Sequence, residues 1–128
     1  MKNAKHNTTT LLQKALKMMG SLVLKKYNPR IVSITGSVGK TSTKEAIFTV
    51  LAEKYRVRRS EKNYNNEIGL PLTIIGTESG QSSFWGWMLV LWKWLVIIFL
   101  PIEYPEILIL EMGADQPGDI DYLTKFVK

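Results

Sequence analysis

Residues 35–42 read TGSVGKTS, a run of eight that combines two glycines with a lysine and several hydroxyls. Those groups are the ones that hold a polyphosphate. In a glycine loop that opens a helix, successive backbone N–H groups point into one concavity at the positive end of the helix dipole. Gly36 and Gly39 let the backbone approach a ligand without a side-chain clash. Lys40 is placed to reach the β- and γ-phosphates, and the Thr41 hydroxyl to ligate magnesium. The cofactors expected are therefore ATP and magnesium, bound by Gly36, Ser37, Val38, Gly39, Lys40, Thr41 and Ser42. The loop departs from the full G-x-x-x-x-G-K-[ST] pattern, because Ile34 stands in place of the first glycine. The competing reading is an exposed strand-to-helix turn with a chance lysine.

Two other places carry groups suited to the same chemistry. Glu111 follows four apolar residues, Ile107 to Leu110, which read as a buried strand. In a parallel sheet its carboxylate emerges at the edge that bears the phosphate loop, where it can hold or orient magnesium. The alternative is a glutamate that merely solvates a strand end. Asn63, Asn65, Asn66 and Glu67 form a polar cluster that turn chemistry alone would also explain.

The elements that must position these groups are legible as periodicity. Ile31 to Thr35 is a short β-branched run, and Lys40 to about Tyr55 is helical in pattern with Ala46, Ile47, Val50 and Leu51 on one face. Strand, glycine loop and helix open an α/β unit. A helix is expected over 8–27, capped at Thr8 to Thr10, with Leu12, Ala15, Leu16, Met19, Leu22 and Val23 on its apolar stripe and Asn28-Pro29 at its end. Tyr55 to Ser60 reads as a second strand and Glu67 to Ile75 as a short helix interrupted by Pro71. Pro117 starts a last helix running to Phe126. The fold class is α/β: a mostly parallel sheet of the P-loop nucleotide-hydrolase type flanked by helices, incomplete, with an N-terminal amphipathic helix and an inserted apolar helix.

Composition narrows the partners. The chain has 128 residues and 45% apolar side chains, enough for one packed core. It has no cysteine and a single histidine, His6, which excludes disulfides, thiolate chemistry and a zinc centre, and fits a cytoplasmic setting. Seventeen basic residues against eleven acidic leave a net +6. Lys2, Lys5, Lys14, Lys17, Lys25, Lys26 and Arg30 all precede the first acidic residue, so the N-terminus is expected to meet an anionic partner. No secretory leader is read in it, since Lys14 and Lys17 break the apolar stretch.

Phe84 to Leu100 is the compositional outlier: seventeen residues of which only Gly86 and Lys93 are not large and apolar, holding all four tryptophans. Seventeen is near the lower limit for a helix that crosses a bilayer, and Lys93 is costly in its middle. A single crossing would also separate Lys40 from Glu111. The stretch is therefore expected to lie in a membrane interface or pack on a partner, with residues 8–27 joining it on an anionic membrane surface at the inner face. The alternative is that both helices cover the core of the domain. No nucleic-acid partner is expected.

Taken together, ITGSVGKTSTKEAI from Ile34, KNYNNEIGLPLTII from Lys62 and ILILEMGADQPGDI from Ile107 resemble the central ATP-binding domain of the Mur ligases, the amide ligases of peptidoglycan precursor synthesis. The likeness is greatest to the branch that joins D-alanyl-D-alanine to UDP-N-acetylmuramoyl-tripeptide. It covers about 31–128, interrupted over about 77–104, and leaves 1–30 as a basic amphipathic helix. It accounts for Ile34, because these ligases use T-G-x-x-G-K-T without the first glycine. It implies that Lys40, Asn66 and Glu111 are catalytic, with Asn66 and Glu67 beside the phosphates and Thr41 and Glu111 on magnesium. The family reaction phosphorylates a UDP-muramyl peptide carboxylate with ATP, and the incoming amine attacks the acyl phosphate. Gln116 stands where many members of this branch have histidine. The uridine-nucleotide domain, the modified lysine and the C-terminal domain of such ligases have no counterpart in these residues, so the 128 residues alone are not expected to turn over.

Overall fold

The computed structural model describes the backbone from residue 2 to 61 and from 67 to 113, together with Asp121 and Lys125. Asn63, Asn65, Asn66, Gln116 and most of the helix expected from Pro117 lie outside the described residues. The elements in chain order are α1 (Lys2–Tyr27), β1 (Arg30–Ile34), α2 (Lys40–Ala52), β2 (Val57–Arg59), α3 (Gly69–Ile75), α4 (Phe84–Phe99) and β3 (Ile107–Glu111).

The three strands are parallel in the order β1-β3-β2. β3 is therefore central and buried at all five positions, as its apolar run from Ile107 to Leu110 demands of the first four. Side chains alternate across a strand, so β3 feeds both faces of the sheet. Ile107 and Ile109 join Ile34 and, from α2 and its flanks, Ile47, Phe48, Leu51, Tyr55 and Val57. Leu108 and Leu110 point the other way, into a core built with Leu16, Met19 and Val23 of α1, Leu70, Leu72, Ile74 and Ile75 of α3, and Val90 and Ile97 of α4. The result is a small parallel sheet with α2 on one face and α1, α3 and α4 on the other.

Several expectations are corrected. α1 begins at Lys2, not at Thr8, and Thr8 to Thr10 lie within the helix rather than capping it. No glycine or proline precedes them to stop it, and threonine is only a mildly poor helix former. Its end agrees with the sequence: Asn28 takes a left-handed φ of 46° and donates its N–H to the Leu24 carbonyl at 2.8 Å. Leu22 is exposed, and Leu24 is buried in its stead. On α2 the inward face is Lys44, Ile47, Phe48 and Leu51, whereas Ala46 and Val50 face out. Pro71 does not interrupt α3; it occupies the first turn, where its missing N–H has no helical partner to lose.

α4 is docked on the domain. Trp94 Nε1 donates to the Met19 carbonyl at 2.9 Å. Lys26 Nζ donates to the carbonyls of Ile97, Ile98 and Leu100 at 2.7, 2.9 and 3.0 Å, and Tyr27 Oη donates to that of Ile97 at 2.7 Å. A lysine on the last turn satisfies carbonyls that the helix cannot pair itself and offsets the negative end of its dipole. The opposite face carries Trp85, Met88, Leu89, Trp92 and Phe99, all exposed. Among the described residues no helix is long and apolar enough to cross a membrane.

Candidate functional site

β1 delivers the chain to the loop and α2 takes it away, so residues 35–39 lie outside the carboxyl edge of the parallel strands, where ligands of open α/β sheets bind. Gly36 has φ 146° and Gly39 has φ 79°. A Cβ at Gly39 would meet nothing within 4 Å, and one at Gly36 would come no nearer than 3.8 Å to the Val38 carbonyl. Within the protein these glycines are needed for their backbone angles rather than for space. Gly39 is the N-cap residue of α2 and, lacking a side chain, makes no side-chain cap hydrogen bond. The positive end of a thirteen-residue helix thus faces the loop without a side-chain cap from its N-cap residue. Ser37, Val38, Thr41 and Ser42 are exposed there and Lys40 is half-buried. Among the described residues Lys40 has no ion-pair partner.

Glu111 arrives at the same edge. In the β1–β3 register it pairs with Ile34, the residue before the loop, and its N–H donates to Ser60 Oγ at 2.9 Å. Alternation along β3 sends its side chain to the α2 face, after Ile107 and Ile109. There it meets Lys44, a residue the sequence reading passed over. Lys44 Nζ donates to Glu111 Oε2 at 3.1 Å, and the two side chains are only 2% and 7% exposed. One turn of α2 separates Lys44 from Lys40, so both share a helix face. The overlooked signal was its place on the stripe that continues through Ile47, Phe48 and Leu51. The same turn is tied to β2 by Arg59 Nε donating to Glu45 Oε1 at 2.9 Å, with the Arg59 guanidinium 3.8 Å over the Phe48 ring.

Thr41 and Glu111 are thus brought to one end of the sheet, while Asn66 lies outside the described residues. Among the described residues no three acidic or imidazole groups cluster as a metal site. Magnesium fits this donor set nonetheless, since it is commonly held by one or two protein oxygens together with substrate phosphates and water. The oppositely directed face of β2 has its own electrostatics. Burial pushes the Tyr104 hydroxyl up to about 12, against the opposing pull of the Arg58 guanidinium 5.1 Å over its ring. Arg58 itself is lowered by burial and donates to the Ile74 carbonyl at 2.8 Å.

Residues 34–85 match the Mur ligase middle domain. Over those residues the chain is similar to the Mur ligases. It is 35% identical over 111 residues to the UDP-N-acetylmuramoyl-tripeptide–D-alanyl-D-alanine ligase of Bacillus subtilis, covering 87% of this chain and 19% of that protein. Its backbone superposes on MurF ligase from Thermotoga maritima, solved in complex with ADP, with a TM-score of 0.63 and 32% identity over 89% of this chain and 21% of the other. MurF from Acinetobacter baumannii gives a TM-score of 0.64 at 25% identity, over 90% and 20% respectively. The chain therefore spans about a fifth of the length of these Mur ligases. Both solved relatives support the small parallel sheet flanked by helices as part of a Mur ligase fold.

Proposed function

We propose that residues 31–128 form the opening part of a Mur ligase central domain and bind magnesium-ATP for amide formation in peptidoglycan precursor synthesis. In this reading the N–H groups of 36–42 and the Lys40 ammonium hold the phosphates, Thr41 and Glu111 hold magnesium, and Asn66 lies beside them. Magnesium supplies charge neutralisation on the phosphates. The γ-phosphoryl group passes to a carboxylate of a UDP-muramyl peptide, releasing ADP. The amine of D-alanyl-D-alanine attacks the acyl phosphate, and phosphate leaves as the amide forms. What the protein contributes to such a reaction is chiefly alignment and electrostatic stabilisation. One observation carries the proposal: a helix N-terminus whose N-cap residue supplies no side-chain cap, entered through two glycines at positive φ, with Glu111 in register beside the residue that enters the loop. Calorimetric titration of magnesium-ATP into the parent and Lys40→Ala tests it. A charge-assisted contact contributes about 1.5–3 kcal/mol, so the variant should bind roughly 10- to 100-fold more weakly. Equal affinity would remove the proposal.

A second reading is favoured by the outer faces of α1 and α4: a non-catalytic ATP-binding or membrane-associated module derived from such a ligase. α1 exposes Leu11, Lys14, Met18, Leu22 and Lys25 along one face, and α4 exposes Trp85, Trp92 and Phe99. Cations among apolar and aromatic groups suit an anionic bilayer surface on the cytoplasmic side.

A further inference from the structure

We propose that Lys44 is a positioning residue for Glu111, fixing that carboxylate relative to the helix that carries Lys40 and Thr41. The inference rests on the reading of the loop as a magnesium-ATP site. A lysine ammonium buried to 2% exposure against a carboxylate buried to 7% needs a reason, because buried ion pairs are no more stabilising than well-packed apolar residues of the same size. Its location supplies one. Glu111 is fixed at three points: its backbone lies in register with Ile34, its N–H bonds Ser60 Oγ, and its Oε2 bonds Lys44. With Oε2 given to Lys44, Oε1 is the oxygen left for a metal ligand. Lys44 lies about 6 Å along α2 from Lys40, one helical turn deeper. The turn that bears it is also held to β2 through Glu45 and Arg59. Among these ties the Lys44 ammonium is the one that joins α2 directly to the Glu111 side chain, and the separation between the Thr41 hydroxyl and the Glu111 carboxylate depends on it.

The test is the magnesium dependence of nucleotide affinity, read as the ratio of the ATP dissociation constant in EDTA to that in excess magnesium. Groups that orient metal ligands typically alter metal affinity by about 10- to 100-fold when removed, so Lys44→Met should reduce the ratio by that factor. Affinity for metal-free ATP should change by less than about threefold, since the phosphate-binding N–H groups and Lys40 are untouched. Glu111→Gln should reduce the ratio similarly, and the double variant no further than either single, because two residues acting through one contact are not additive. A merely structural lysine would lower the melting temperature and leave the ratio alone. Should Lys44→Met lose its cooperative melt, Lys44→Arg keeps the charge while its fork engages both carboxylate oxygens, and the same fall in the ratio is expected. An unchanged ratio in either folded variant overturns the role of Lys44. A parent whose affinity ignores magnesium refutes the magnesium site itself, and the role of Lys44 with it.

Discussion

Lys44→Met, alone and combined with Glu111→Leu, tests the packing that holds the loop edge together. The Nζ to Oε2 distance is 3.1 Å and both side chains are almost wholly buried, so water cannot take over the role of the lost partner. Removing one member of a buried pair costs about 3–5 kcal/mol. Methionine fills most of the lysine stem, so a cavity adds little to that figure. For a chain of this length each kcal/mol shifts Tm by roughly 3–5 °C, which places Lys44→Met roughly 10–20 °C below the parent. Replacing both members by apolar groups removes the uncompensated charge, and such exchanges are neutral or stabilising by up to about 4 kcal/mol. The double variant should therefore melt at or above the parent temperature although Lys44→Met alone is severely destabilised. Thermal melts followed by circular dichroism at neutral pH report all three proteins. A single variant within about 2 °C of the parent, no more than about a fifth of the expected shift, would refute the buried pair. So would a double variant less stable than Lys44→Met.

Two further outcomes follow from other parts of the molecule. Tyr104 is raised from 10.0 to about 12, so the unfolded chain releases the phenolic proton first as pH climbs; stability is complete below pH 10 and falls between about 10 and 12, by roughly 2–3 kcal/mol in all. Urea denaturation at about pH 9 and 11.5 should show that fall in the parent and much less of it in Tyr104→Phe, whereas parallel losses in both would contradict it. On the outer face of α4, Trp85 and Trp92 are 79% and 64% exposed, so replacing both by serine should leave the melt unchanged. The parent should co-sediment with anionic vesicles and the double variant should not; absence of binding by the parent, with or without anionic lipid, sinks the membrane reading.

The loop and the two strands beside it were legible because their signals are local. Ile31 to Ile34 and Ile107 to Leu110 are short runs rich in β-branched or aliphatic residues, and the glycines of 36 and 39 mark a loop that takes positive φ between strand and helix. The strand order was not legible, since nothing in the sequence says that β3 inserts between β1 and β2. Lys44 was overlooked for a related reason. A lysine on an amphipathic helix reads as solvent-facing until a distant carboxylate is known to end the adjacent strand, 67 residues later. The same long-range dependence turned the inward face of α2 away from Ala46 and Val50. For α4 the sequence identified an apolar helix but not its seat: Lys26 and Tyr27, which anchor its C-terminal carbonyls, lie 70 to 74 residues earlier.

The central claim is that the loop at 35–42 holds magnesium-ATP. Nucleotide-dependent stabilisation measures it directly, because a ligand at 100 times its dissociation constant stabilises the folded state by about 2.7 kcal/mol. With magnesium-ATP in that excess, the parent chain should melt roughly 10 °C higher, and Lys40→Ala, bound roughly 10- to 100-fold more weakly, should show about half of that rise or less at the same nucleotide concentration. A parent melt that nucleotide does not move, or an equal rise in the two proteins, would contradict the account.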